Sequence, residues 1–541
     1  MIYKYAIDFG TTNSSVAIRI RDERTKVEST AVCKPTVSSV IYVDENTDES
    51  NIALENVGEE AKKTFPSGKG RQKALIREIK TAIDLEKELV TTESGLRFHS
   101  VLLAAAILRK LKAVADNMLE QLQITAQGVV MGVPVSFSDR SKAMLRRALV
   151  SAGFYQTETQ AKQLTEFVSE PVAVAVSYGL KVEDKKTVLV FDFGGGTLDV
   201  AILQLTPQGH EIDSRLPHDV LSKERLSLGG EDLNRLLYSK VFLSHYRTEM
   251  ERYRRQFGIS PGVSLDDAKT VWAALSKTEA GVQLQDRLEN LKQMLSTEPV
   301  WDFEWTAPNG MTFPKTNIMQ SEFEDALNDV SDDIENLVQK CLDDADLSYF
   351  DIDDVLLAGG SSLIPFIQNI LIEEMRFGNR VHGCARKKVV PSDVLTSIVK
   401  GLSVYACKVD SKRRSIVEDI VDSDYGVWDT VQHKVSVILK KGTKFSDTKY
   451  QRTMATGGCY KDYEAVGDRS SSIPLDVYEV ARKREIKLGK IDLNRPGSGA
   501  YRIFMRIDAQ SGCLVVDIYD RRTMRWYDDI PLEDREFELS V

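Results

Sequence analysis

Two short segments of this chain set an acid ahead of a run of small residues in the same order. Asp8 is followed by Phe9-Gly10-Thr11-Thr12-Asn13, and Asp192 by Phe193-Gly194-Gly195-Gly196-Thr197. Glycine at a turn lets backbone N–H groups approach phosphate oxygens closely, and the hydroxyls of Thr11, Thr12 and Thr197 add donors. The aspartates suit a different task. Carboxylates at strand ends can hold Mg²⁺ through bound waters, so Asp8 and Asp192 are expected to face each other across a cleft. Either segment alone reads as an ordinary hairpin turn; their repetition points to an internal duplication around a phosphate site. A third pair of glycines, Gly359-Gly360-Ser361-Ser362, follows the apolar run Val355-Leu356-Leu357-Ala358. It precedes a helix beginning near Pro365, a place where backbone can pack against a nucleoside.

These residues need strands to carry them. Residues 2–20 alternate, break at the first glycine turn and resume, which predicts a β-hairpin, and residues 187–203 repeat that pattern. Between them, residues 100–122 predict a helix with Leu102, Ile107, Leu111, Val114 and Met118 on its apolar face, followed by a strand over 128–135. Residues 232–296 are charged and helix-like, broken at Pro261-Gly262, and a further helix is expected over 323–342. The charged stretch 408–424 lacks amphipathicity and marks the main domain boundary. Beyond it, short alternating runs at 434–439, 473–477, 501–507 and 513–518 predict an antiparallel β unit over 425–541.

Composition narrows the class. At 541 residues the chain is long enough for three or four domain-sized units. Its 71 Lys+Arg against 81 Asp+Glu leave a net charge of −10, which argues against a general nucleic-acid binder. Cys33, Cys341, Cys384, Cys407, Cys459 and Cys513 include no CxxC pair, so reduced thiols in a cytoplasmic setting are expected. The six histidines, His99, His210, His218, His245, His382 and His433, show no metal-ligand spacing. The opening residues MIYKYAIDFGTT lack the charged and long apolar regions of a secretory signal, and the apolar run Val101–Leu108 is too short to span a bilayer, so neither secretion nor membrane association is expected.

The segments IDFGTTNSSVAI, VFDFGGGTLDVAIL and LLAGGSSLIPFIQNIL resemble the two phosphate loops and the adenosine motif of the seventy-kilodalton heat-shock chaperone (DnaK-like) family, within the actin/hexokinase ATPase superfamily. GVPVSFSD, SEPVAVAVSYGL and LSLGGEDLNRLL resemble the chaperone branch in particular, and RIDAQSGCLVVDIYD resembles its β-type substrate domain. The resemblance implies an α/β fold: a two-lobed actin-like ATPase domain over 1–407, a charged linker over 408–424, and an antiparallel β-sandwich for peptide or protein binding over 425–541. It implies ATP/ADP and Mg²⁺ as ligands. Asp8 and Asp192 would hold the magnesium water shell, Glu170 and Asp199 would polarise or orient the attacking water, and Lys80 would contact the γ-phosphate, since phosphoryl transfer needs cationic stabilisation. Gly10 to Asn13 and Gly194 to Thr197 would cradle the phosphates. Gly229, Gly230, Glu231, Glu289, Lys292, Ser296, Gly359, Gly360 and Ser361 would line the nucleoside side, with Glu289, Lys292 and Ser296 on one helical face. Pro134 and Lys142 match the family's allosteric relay pair, and Ile473 and Leu475 match positions lining its peptide groove.

The departures carry expectations of their own. Gln293 and Leu363 stand where the family has two adenine-clasping arginines. Each lost stacking contact costs about 1 kcal/mol, several-fold in affinity, so weaker or less selective adenine binding is expected. The linker offers only Ile416 and Val417 as apolar groups, which predicts shallower docking. Glu166 occupies the place of a basic residue that engages a J-domain, which predicts a co-chaperone contact of altered charge or a dedicated protein partner. No helical-lid pattern follows the β unit, so a bound client is expected to leave quickly. A filament-forming actin-like ATPase, a small-molecule kinase and a nucleotide-dependent scaffold with weak hydrolysis are the alternatives. LGGED, SEPVAVAVSYGL and the separate β unit weigh against the first, the lack of a further substrate motif against the second, and the intact Asp8, Glu170, Asp192 and Asp199 against the third.

Overall fold

The computed structural model of the chain describes residues 3–527 except 22–27, 34–35, 68–71, 93–94, 136, 180–183, 207–217, 308–309, 383–393, 407–416, 430–431, 452–454, 466–472, 482–483, 494–498 and 509–513. Cys384, Cys407, Cys513, His210 and Ile416 lie outside the described residues, as do the side chains of Val417, Ile473 and Leu475.

The duplication read from the two aspartate turns is a duplication of whole sheets. In the first, Tyr3–Asp8 and Asn13–Arg21 form an antiparallel hairpin extended by Glu28–Val32, while Ala126–Val133 and Thr165–Ser169 add in parallel beyond Tyr3–Asp8. In the second, Lys186–Phe193 and Leu198–Leu205 form the hairpin, His218–Leu226 extends it, and Asp354–Ala358 and Val381–His382 add in parallel. The central strands are buried on both faces, as expected where helices cover a sheet from both sides. Each lobe has its own large apolar core.

A third core joins the lobes. The helices Glu170–Gly179 and Ser397–Ala406 lie between the sheets and bury Val172, Val176, Val399 and Leu402 against Ala6, Val130, Val190 and Leu356. They cross so closely that a Cβ on Gly401 would lie 1.8 Å from the Ala173 carbonyl oxygen. Only glycine fits there.

The helix Ser100–Leu122 runs over the expected residues, but its buried face is displaced. Leu103, Ala104, Ile107, Leu108, Leu111, Ala115 and Leu119 are buried, whereas Leu102, Val114 and Met118 are only partly so. Three consecutive buried alanines, Ala104 to Ala106, let this helix approach the sheet, a contact that ranking residues by size overlooks. The hairpin Val300–Thr306 with Thr312–Met319, placed between charged helices, was not read from the sequence. Trp305 and Phe313 stack in its core at 5.4 Å.

Past residue 417 the chain forms two four-stranded antiparallel sheets. One runs in the order Lys434–Leu439, Asp424–Asp429, Ile473–Ala481, Arg484–Leu493, and the other Cys459–Ala465, Gly499–Ile507, Leu514–Asp520, Arg525–Tyr527. Val427, Leu439 and Val477 of the first share one core with Ile503, Met505, Val516 and Ile518 of the second. Tyr425 belongs to that core, while Trp526 stacks on Tyr450 at 5.1 Å.

The connecting segment makes closer contact than its sequence suggests. Val417–Glu418 adds as a sixth strand to the second sheet, parallel to His218 and Asp219. Ile420 is buried in the core between the lobes, and the next residue, Val421, in the core of the β unit. The Lys223 ammonium is paired with Asp419 at 2.8 Å and with Asp422. Among the described residues of this segment the apolar anchors are Ile420 and Val421, and the Lys223 ion pairs add to them.

Candidate nucleotide site

The two aspartate turns press against each other at the mouth of the cleft. A Cβ on Gly195 would lie 2.1 Å from Thr12 Oγ1, and one on Gly196 2.7 Å from Thr11 Oγ1. Gly229 and Gly359 pack on the same turn, where side chains would meet the Gly195 and Phe193 carbonyl oxygens at 2.3 Å in each case; Gly359 also has a φ of +74°. Backbone fixes these turns: Gly230 N–H donates to the Gly194 oxygen and Glu231 N–H to the Gly195 oxygen, both at 3.0 Å. The glycines thus serve backbone-to-backbone approach as well as the open cradle expected of a phosphate site.

Beneath the turns the expected charged residues converge. Asp8 ends its strand, and Asp192 and Asp199 are cross-strand neighbours in the second hairpin. Glu170 opens the helix Glu170–Gly179, where the helix dipole favours a carboxylate. Lys80 comes from the short helix Ile79–Asp84 and its buried ammonium pairs with Glu170. Asp199 accepts from the Val135 N–H at 2.9 Å and from the Thr197 hydroxyl at 2.8 Å.

Burial makes this cluster electrostatically unsatisfied. It pushes Asp8 up to about 7, with repulsion from Glu170 adding and Lys80 opposing. Asp199 is pushed up to about 6 by burial, with Arg225 opposing, and Asp192 well above the usual carboxylate range by burial and by Glu170 and Asp199. Burial disfavours the Lys80 charge, but Glu170, Asp8 and Asp199 hold its ammonium above its ordinary range. Four buried carboxylates face Lys80 and Arg225, an arrangement that favours an added cation. Among the described residues no three His, Cys, Asp or Glu side chains are grouped to ligate a metal directly. A magnesium ion held through its waters fits that acidic set.

On the nucleoside side, Lys292 donates to the Gly230 carbonyl at 3.0 Å and to Glu289 at 2.9 Å, and Ser361 Oγ to the Gly194 carbonyl at 3.1 Å. Ser296 caps the end of the helix Glu279–Leu295 with helical backbone angles, and its hydroxyl bonds back to the Lys292 carbonyl at 2.8 Å. Gln293 is exposed and donates to Glu289 at 2.9 Å, and Leu363 is half-buried. Asn234, which the sequence reading missed, donates to Glu289 at 2.8 Å. Leu395, also missed, is exposed beside the Gly360 turn.

The outlying expectations fare unevenly. Pro134 is buried next to Val135, and Lys142 is buried 3.7 Å from Asp139, whose other carboxylate oxygen accepts the Leu514 N–H of the β unit at 2.9 Å. Lys142 thus lies beside a direct contact with the β unit. Glu166 corrects an expectation. It is buried in an ion pair with Lys4 at 3.2 Å, with both side chains 6% exposed, so its carboxylate is not presented to a docking partner. Ile473 and Leu475 lie on the strand Ile473–Ala481, and their side chains fall outside the description.

A pair of like-ordered sheets with glycine turns meeting over buried carboxylates defines a two-lobed, actin-like nucleotide-binding class. A family model described as Hsp70 protein matches residues 5–382, and the chain belongs to the Hsp70 family. It is 27% identical over 380 residues to a chaperone protein dnaK of Emiliania huxleyi, covering 68% of this chain and 55% of that protein. It is 29% identical over 377 residues to a chaperone protein dnaK of Gracilaria tenuistipitata var. liui, with the same coverage of 68% and 55%. The chain spans about half the length of the curated relatives it matches. Among the described residues no helix is long and apolar enough to cross a membrane.

Proposed function

We propose that this chain is a cytoplasmic, ATP-driven chaperone that hydrolyses Mg·ATP between its lobes and couples lobe closure to binding of a protein client or dedicated partner. In this reading the paired C-terminal sheets are a β-sandwich that binds the client. The observation that carries the proposal is the convergence of Asp8, Lys80, Glu170, Asp192 and Asp199, buried together beneath the facing turns.

Asp8 and Asp192 would hold the hydrated magnesium, which would neutralise phosphate charge. Thr11, Thr12, Thr197 and the turn amides would bind phosphate oxygens, and Lys80 would meet the terminal one. Glu170 keeps the Lys80 ammonium in place. Asp199 is held by the Val135 N–H and the Thr197 hydroxyl, which fixes the carboxylate that orients the attacking water. Because the phosphates are gripped by turns of both lobes, losing the terminal phosphate loosens one lobe from the other. Pro134, Lys142 and Asp139 link that change to the β unit.

Single-turnover hydrolysis tests the reading. Asp199→Asn is expected to slow it by about a hundredfold while nucleotide binding persists; unchanged turnover would overturn the assignment of the carboxylates. Competition among ATP, ADP and GTP tests the exposed Gln293 and half-buried Leu363, which should leave base selectivity low; ATP selectivity equal to that of an arginine-clasping relative would contradict it. Stimulation of turnover by proteins encoded beside the gene would identify the partner.

A further inference from the structure

Arg225 belongs to no motif, yet it occupies the middle of the cleft. It lies on the strand His218–Leu226 as the cross-strand neighbour of Asp199. Its Nη1 and Nη2 donate to Asp84 Oδ1 and Oδ2 at 2.9 and 2.7 Å, a two-pronged pair. Nη1 also reaches the Val135 carbonyl at 3.3 Å, and Nε lies 3.7 Å from Asp199 Oδ1. The side chains are nearly closed to water: Arg225 is 5% exposed, Asp84 6% and Asp199 1%.

The partners come from opposite lobes. Arg225 and Asp199 belong to the second sheet; Asp84 and Val135 belong to the first lobe. Val135 is gripped twice, its N–H by Asp199 and its carbonyl by Arg225. Asp84 is one turn after Lys80 in the helix Ile79–Asp84, so the strut and the Lys80–Glu170 pair fix the same short helix at both ends. A buried guanidinium is expensive to desolvate and stays charged at any accessible pH, so its placement beside one carboxylate of the site has a lasting electrostatic effect. Hydrophobic contacts already join the lobes through the central helices, and a structural role alone does not require the cation to lie beside Asp199.

We propose that Arg225 is a positioning residue for the hydrolytic step, a strut across the cleft that sets the helix carrying Lys80 and holds Val135 against Asp199. This rests on the ATPase reading above.

Steady-state and single-turnover hydrolysis, with hydrogen exchange of the amides in residues 79–84, tests the strut in the full chain. Arg225→Ala should lower kcat by about tenfold or more with the KM for ATP changed less than about threefold. Arg225→Lys keeps a point charge but loses the fork, so it should restore kcat only in part. Asp84→Asn should lower kcat with the KM likewise little changed. All three variants should exchange faster over residues 79–84. Wild-type kcat in Arg225→Ala, or unchanged exchange in both Arg225→Ala and Asp84→Asn, would overturn the proposal. Should Arg225→Ala fail to fold, the Arg225→Lys and Asp84→Asn kinetics and exchange decide it. Absence of hydrolysis in the unaltered protein would sink the ATPase reading instead, and exchange over residues 79–84 would still report on the strut.

Discussion

The carboxylates of the cleft bring their own pH dependence. Asp8 is pushed up to about 7 and Asp192 well above its usual range, so near neutrality part of this set carries protons. Binding a cation requires the ionised forms, so Mg·nucleotide binding should release protons, and its affinity should fall as pH drops below about 7. Calorimetric titration at pH 6.5 in two buffers of different ionisation enthalpy should detect that release, smaller in Asp8→Asn; equal heats in both buffers would refute it. The convergence of these acids and glycines was legible because the same aspartate–glycine turn occurs twice in the sequence. Arg225 was not, since an arginine in the run KERLSL carries no signal until the fold sets it beside Asp199. Glu166 was misread for the complementary reason: its charge was visible, whereas its burial against Lys4 depends on a partner 162 positions away.

At the scale of elements, the helix Glu279–Leu295 carries Glu289 and Lys292, proposed to face the nucleoside, on one side and a cross-lobe latch on another. Val282 is buried with Tyr42, Phe65 and Leu75 of the first lobe. Asp286 pairs with Arg77 at 3.1 Å and Lys62 at 3.7 Å, and Arg235 with Glu78 at 3.3 Å. Asp286 is 39% exposed, so its pairs are screened and worth roughly 0–1 kcal/mol, whereas a charge forced into the Val282 site cannot be solvated. Asp286→Ala should accelerate nucleotide release by at most about fivefold, and Val282→Asp by well over about tenfold, in stopped-flow displacement of a fluorescent nucleotide. An unchanged rate in Val282→Asp would show that this contact does not govern opening. The order of helices and strands was readable from periodicity, but the latch was not, because it joins residues whose patterns each describe a separate amphipathic element.

For the whole molecule, the seam between the nucleotide-binding part and the β unit is charged and partly acidic. Glu479 of the β unit is buried there, facing Asp139, Glu86 and Lys142 of the other part and Ser423 beside it, and is pushed up to about 7 by burial and then by Asp139. Once the two parts separate, its ordinary value of 4.5 should return. A carboxyl raised on docking favours the docked form most fully below about 4.5, and that contribution is lost as pH rises through about 7. Energy transfer between dyes on the two parts should therefore report progressive undocking from pH 6 to 8 without nucleotide, and Glu479→Gln should flatten the change; a pH-independent signal in the unaltered protein would refute it. The sequence placed the boundary between the two parts by composition, and composition could not show how much of the boundary is itself part of the fold. That has a practical consequence for dissection. Val417–Glu418 completes the second sheet, Ile420 fills the core between the lobes, and Asp419 with Asp422 neutralises Lys223. A fragment cut at residue 407 would expose a bare strand edge and leave a buried lysine uncompensated, inviting self-association. An isolated nucleotide-binding fragment should therefore extend through Asp422, even though composition places those last residues in a linker.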